Sequence, residues 1–220
     1  MIETGISFGN IHSFYDLNLI LSSVTIAPAY PKTSYVDIPG ADGSLDLTEV
    51  HGEVKFYDRT ILCTFTMNPS GDLSEAAWEA KKTEVSNLLN GLAFRITLDK
   101  DPDYYWQGRC VVDEYKSNKR VRQFVISATV RPYKMKHAET AVSFALSSTE
   151  QIVSIRNGRK AVCPVIECTD DNTYITHGNS TFALAAGSHK TTDIIFVCGE
   201  NELKLSGAGT VTFRFQEGDL

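Results

Sequence analysis

The chain has 220 residues, 42% hydrophobic, 22% charged and 10% aromatic, a globular profile that excludes fibrous, disordered and helical membrane-spanning classes. Its 21 Lys and Arg against 27 Asp and Glu leave a net charge of −6, which argues against sequence-independent nucleic-acid binding, because that needs a basic footprint on the phosphates. The length allows one large domain or two small ones. No basic residue precedes Lys32, whereas Glu3 and Asp16 do, so no secretory signal is expected and the mature chain is expected to begin at or near Met1. The longest apolar runs, such as Ile194 to Cys198, are strand-sized, which predicts a soluble chain with no membrane partner. Five cysteines, an odd number, read as reduced and mostly buried thiols.

In chain order, the first distinctive segment is the run from Asp37 to Glu49, an acidic, glycine-punctuated loop. Pro39-Gly40 and Asp42-Gly43 are tight-turn pairs, after which Leu45 and Leu47 alternate with Asp46 and Thr48 as in an edge strand. A projecting segment of this kind is suited to reaching a neighbouring subunit by strand addition. Alternating apolar positions then predict a sheet from residues 54–56, 61–67, 92–98, 104–112 and 124–130. One helix is predicted over residues 74–90, with Asp72 or Ser74 as N-cap, an apolar stripe of Trp78, Val85, Leu88 and Leu89, and Gly91 closing it in left-handed geometry. Pro132 cannot continue a central strand, so the junction Arg131-Pro132-Tyr133-Lys134 is expected to separate domains 1–135 and 136–220.

Beyond the junction, period-two patterning recurs at Val142, Phe144 and Leu146, at Phe182 and Leu184, at Ile194, Phe196 and Cys198, at Leu203 and Leu205, and at Val211, Phe213 and Phe215. Turn residues separate these strands, which predicts a β-sandwich or jelly roll of about 80 residues. Residues 1–135 hold 14 basic and 17 acidic residues and residues 136–220 hold 7 and 10, so neither half hides a basic domain.

Chemistry-bearing combinations are weak. Cys163 and Cys168, with His177, His189 and Cys198 downstream, lack the two-to-four-residue spacing of a zinc knuckle. Cys110 with His51, or Ser44 with His51 and Asp46, has no Gly-x-Ser-x-Gly elbow or glycine-led helix behind it. Gly207-Ala208-Gly209 reads as a hairpin turn, and Asn179-Ser180-Thr181, a glycosylation match, as another turn. Tyr104, Tyr105, Trp106 and Tyr115 crowd one hairpin; alternation places Tyr105 and Trp106 on opposite faces, leaving at most half of a sugar-stacking platform exposed. Neither enzyme activity, metal nor cofactor is expected from these features.

An ordered series of matches resembles the distal tail protein family of long-tailed phages and prophages of Gram-positive bacteria. It comprises Phe8-Gly-Asn-Ile-His-Ser13, the run from Pro31 to Glu49 with Ile38-Pro-Gly-Ala-Asp-Gly-Ser-Leu-Asp-Leu-Thr48 at its centre, Phe56-Tyr-Asp-Arg59, the run from Asp101 to Arg109, and Arg131-Pro-Tyr-Lys134. The resemblance covers about the first 135 residues. It implies an N-terminal tail-tube-like β-sandwich or barrel with one packed helix, assembling as a hexameric ring, and a C-terminal galectin-like β-sandwich. It further implies a structural role in the virion, at the distal end of a tail assembled in the bacterial cytoplasm. There the ring joins the tail tube protein to the tail-associated hub or tip protein, and through it to a receptor-binding protein, at the baseplate. Residues 136–220 leave no room for an inserted carbohydrate-binding module, which implies a compact hub component.

Under this reading Asp37, Ile38, Pro39, Gly40, Asp42, Gly43, Leu45, Asp46 and Leu47 form an inter-subunit element, with Leu45 and Leu47 as anchors. DNA passes through the lumen without specific binding, and a non-basic wall is the physical requirement. The rival reading is a lectin-like module for cell-wall attachment.

Overall fold

The computed structural model describes residues 5–50, 52–118 and 121–220. The chain is mainly β with one helix among the described residues, and divides into two compact units, Met1–Pro132 and Tyr133–Leu220.

Unit 1 contains β1 (Ile6–Phe8), β2 (Ile11–His12), β3 (Leu19–Ile26), β4 (Tyr35–Asp37), β5 (Ser44–Asp46), β6 (Arg59–Met67), α1 (Glu75–Leu89), β7 (Ala93–Leu98), β8 (Tyr104–Ser117) and β9 (Arg122–Val130). Seven strands form one sheet in the order β2-β1-β7-β8-β9-β6-β3, with antiparallel neighbours throughout. Strict alternation on β6 buries Arg59, Ile61, Cys63, Phe65 and Met67 and turns Thr60, Leu62, Thr64 and Thr66 outward, the pattern of a sheet with one core face. The sheet wraps round its own core: Phe8 and Phe65, separated by three intervening strands, meet edge to face with ring centroids 6.2 Å apart.

Helix α1 lies on that core face. Ser74 Oγ accepts the Ala77 N–H at 3.2 Å, and Asp72 in turn holds the Ser74 N–H at 2.8 Å, so both residues expected as N-cap act in tandem. Trp78, Val85 and Leu89 are buried, Trp78 against Phe124 at 4.8 Å. Leu88, expected in the same stripe, is 37% exposed; at 100° per residue it lies a quarter-turn from Leu89, and the sheet reaches only one of them. Gly91 takes φ 76°, the left-handed closure expected of it.

Two strand predictions need correcting in unit 1. Residues 54–56 form no strand; Phe56 makes a single bridge to Pro31. Strand β8 runs past residue 112 to Ser117, carried by a bulge between Val112 and Glu114. Tyr105 and Trp106 are both 4% exposed: Trp106 joins the core, and the Tyr105 ring is covered by Arg95 at 4.7 Å.

Unit 2 comprises β10 (Lys134–Lys136), β11 (Thr140–Ala145), β12 (Gln151–Asn157), β13 (Val165–Cys168), β14 (Thr173–His177), β15 (Ser180–Leu184), β16 (Gly187–Lys190), β17 (Gly199–Gly207), β18 (Thr210–Phe215) and β19 (Gly218–Asp219). Two four-stranded antiparallel sheets, β11-β18-β13-β16 and β12-β17-β14-β15, enclose one core of Ile155, Ile166, Ile175, Phe196, Leu203, Leu205, Phe213 and their neighbours. This is a β-sandwich.

Residues 194–198 are not the predicted strand. Only Phe196 bridges, to Val162, while Ile194 and Phe196 are fully buried and Cys198 is exposed. The segment is held instead by the buried amides Asn157 and Asn201, the latter accepting the Val197 N–H at 2.8 Å and donating to the Val197 and Gly199 carbonyls. The Gly207-Ala208-Gly209 turn is not a hairpin either: β17 and β18 belong to different sheets, and the turn arches between them.

Candidate functional site

Between β3 and β6 the chain leaves the sheet of unit 1 and returns 32 residues later, from Ala27 to Asp58. Backbone bonds hold the base of this excursion as a two-stranded arm. The Ala27 N–H donates to the Thr60 carbonyl, the Tyr57 N–H to Tyr30 and the Lys32 N–H to Lys55, at 2.7 to 2.9 Å. The tip is the β4–β5 hairpin, which pairs with no other strand among the described residues.

The predicted turn chemistry is realised at the tip. The Ala41 N–H donates to the Ile38 carbonyl at 3.1 Å with Pro39 and Gly40 between, and Gly40 has φ 83°; proline at the second position and a left-handed glycine at the third define a type II turn. Gly43 also has positive φ, 76°. Ser44 Oγ donates to Asp37 Oδ1 at 2.6 Å across the hairpin mouth.

Thr48 organises the inner end of β5. Its N–H donates to Asp46 Oδ1 at 2.9 Å, and its hydroxyl accepts the Ser34 N–H. Bonds from the Thr48 hydroxyl and N–H, with a further one from Tyr35, hold the Asp46 carboxyl below its ordinary range. Beside it, Pro31, Thr33, Tyr35, Asp46, Thr48 and Glu49 line most of an open cleft of about 390 Å³.

The structure therefore places the sequence-predicted residues Asp37 to Leu47 together at the end of one arm. Leu45 faces Val36 across the hairpin, and the two remain 50% and 46% exposed. Leu47, predicted as a second anchor, lies beyond β5, is half-buried and donates its N–H to Ser34. What sequence reasoning missed is the rest of the arm's apolar surface. Tyr30, Tyr35, Ile38, Val50 and Tyr57 are exposed too, so the arm concentrates large apolar groups that unit 1 has not buried, an unusual density for a surface segment.

Both catalytic combinations named from the sequence include a residue that the structure does not describe. Ser44 is committed to Asp37, His51 lies outside the described residues, and burial pushes the Cys110 thiol up to about 12. Cys63, also buried, is likewise pushed up to about 12, with Cys110 adding to the effect. No group of three or more His, Cys, Asp or Glu suited to a metal occurs among the described residues. At the unit boundary, Arg131 and Pro132 end unit 1, and Tyr133 and Lys134 begin unit 2.

No family model and no curated protein sequence matches the chain. Among solved structures it is similar to the SPP1 Dit (gp 19.1) protein, a paradigm of the hub adsorption apparatus in phages that infect Gram-positive bacteria, with a TM-score of 0.70, 12% sequence identity, and 99% of each chain covered. The fold is shared across both units.

Proposed function

We propose that this chain is a structural, non-catalytic component of a phage tail, the distal adaptor that closes as a hexameric ring between the tail tube and the host-adsorption hub. The observation that carries the reading is the likeness in fold to a phage hub protein over 99% of both chains. The ordered motifs of residues 8–134 and the exposed arm support it independently. A ring adaptor needs a heterologous side-to-side contact that closes on itself, and an arm with unburied apolar residues on a compact unit is a physical means of making one.

The ring is also a conduit. The outward face of β3, β6 and β9 carries Ser23, Thr25, Thr60, Thr64, Thr66, Gln123, Ser127 and Thr129 with Ile20, Leu62 and Val125, and no Lys or Arg on that face of these three strands, while the adjoining strand β8 brings Arg109 opposite Thr129 and Lys116 opposite Gln123. A hydroxyl-rich, uncharged wall of this kind does not neutralise phosphates and so does not retain DNA.

Particle mass by light scattering, with negative-stain images, tests the proposal. Six copies of the 24.3 kDa chain give about 146 kDa and six-fold rings. A chain that stays monomeric even with its tail tube protein, or that binds cell-wall glycan as a monomer, would refute it.

A further inference from the structure

Away from the arm, the outward face of unit 1 changes character where β7, β8 and β9 lie side by side. Alternation turns Ala93 and Arg95 of β7, Gln107 and Arg109 of β8 and Thr129 of β9 away from the core, and all five are exposed. Pairing gathers them: Arg95 stands opposite Gln107, and Arg109 lies between Ala93 and Thr129. Beyond β9 the Arg131 N–H donates to the Gln107 carbonyl at 3.0 Å, which adds a rung to the ladder and sets a third arginine on the other flank of Gln107. With strands about 4.8 Å apart and alternate residues about 6.8 Å apart, three arginines surround one glutamine. Arg109 and Arg131 line an open cleft of about 380 Å³ with Gln107, Thr129 and Asp58.

The cleft reverses the charge of the chain. The protein carries −6 overall, yet here three arginines face one carboxylate. None of the three is ion-paired with a described residue, whereas Arg122 holds Glu75 and Arg214 holds Glu167. Two of these guanidiniums are held in place without an acid: Arg95 lies over the Tyr105 ring at 4.7 Å, and Arg109 Nη1 donates to the Gly91 carbonyl. Each keeps free N–H groups on a plane already oriented, so less side-chain freedom is lost when an anion is met.

Forked, oriented guanidiniums recognise carboxylate and phosphate alike. The other groups in the cleft distinguish the two. The Asp58 carboxylate repels a duplex, which carries one charge per about 1.7 Å, but accepts an N–H from a polypeptide. The Gln107 amide and the Thr129 hydroxyl each both donate and accept, as a peptide backbone requires.

We propose that this cleft docks an acidic segment of a partner polypeptide, with Arg109 and Arg131 holding its carboxylate and Arg95 a neighbouring one. The site is separate from the arm and stands whether or not the arm joins copies of the chain.

The probe is a fluorescein-labelled hexaglutamate peptide, titrated with the full chain at low salt and followed by fluorescence anisotropy beside a labelled 12-base-pair DNA duplex. The peptide is expected to bind more tightly than the duplex. The Arg131 side chain bonds to no described residue, so Arg131→Glu leaves the fold intact and is expected to weaken the peptide about 10-fold or more. Arg156→Glu, at an exposed position of unit 2, makes the same change of charge and is expected to leave binding within about twofold, as distance and screening require. Far-UV circular dichroism of both variants is expected to match that of the unaltered chain. No peptide binding at the highest soluble concentration, equal weakening by the two variants, or a duplex that binds as tightly as the peptide overturns the proposal. So does a change in the particle mass of Arg131→Glu without peptide, which assigns the cleft to a second copy of this chain.

Discussion

Leu45→Asp is the most direct probe of the arm. Leu45 and Val36 form a cross-strand pair on a hairpin with no third strand, and each keeps about half its surface exposed. Burying a whole leucine side chain contributes roughly 1.5–3 kcal/mol, so the half that remains is worth about 1 kcal/mol at an interface. A carboxylate carried into the same contact adds a desolvation cost of at least about 2 kcal/mol. The sum, about 3 kcal/mol at each contact, weakens every subunit junction by more than about 100-fold, and a closed ring feels it at all of them. Light scattering is expected to give the monomer mass of 24.3 kDa, while far-UV circular dichroism matches the unaltered chain. A ring of undiminished mass would refute the argument. Leu47→Asp is the poorer probe, since Leu47 is already half-buried in the single chain and less of its side chain is left for an interface.

Two further outcomes concern stability. Gly207 has φ 131°, and a Cβ there would overlap the Asn172 carbonyl oxygen, so Gly207→Ala is expected to cost about 3 kcal/mol or more. Both tryptophans, Trp78 and Trp106, lie in unit 1, so part of the dichroism melt should move to lower temperature without a matching shift in tryptophan emission; unshifted melts by both probes would count against it. Cys63 and Cys110 ionise near 12 when folded against 9.0 as free thiols, so between those values the unfolded chain binds fewer protons than the folded one. Stability from this source is complete below pH 9 and falls above it by up to about 1.4 kcal/mol per pH unit for each thiol; urea titrations at stepped pH should show a shallower fall in Cys63→Ala, which removes one thiol's share.

Much of this architecture is written in alternation. The period-two apolar positions of β6, β17 and β18 match their buried faces, because one core side per strand leaves no freedom in which residues turn inward. The failures have physical causes. Ile194, Phe196 and Cys198 alternate like a strand, yet two buried asparagine amides satisfy that backbone in place of a ladder, and periodicity does not reveal who supplies a hydrogen bond. Arg59 reads as an ordinary strand-end charge; its burial and its Trp106 neighbour come from a pairing of β6 with β9 and β9 with β8 that links residues nearly 50 positions apart. The tip turns were legible because proline and left-handed glycine act locally. The base of the arm was not, since its pairing of residues 27–32 with 55–60 carries no alternating signal.

The arm's tip also lacks what would hold it in isolation. A two-stranded hairpin is marginal in water without a third strand or an apolar face to pack on, and β4 and β5 have three residues each, all six exposed. Local devices compensate in part: the type II turn, the Ser44–Asp37 bond and the Thr48–Asp46 bond all limit the conformations open to the free arm. They restrict the backbone and leave Val36, Ile38 and Leu45 unburied. Preorganisation of this kind lowers the entropy lost on docking and reserves the apolar area for the contact itself. A segment that only closed a loop between β3 and β6 would gain nothing from either property, whereas both are what the inter-subunit role proposed for the arm requires.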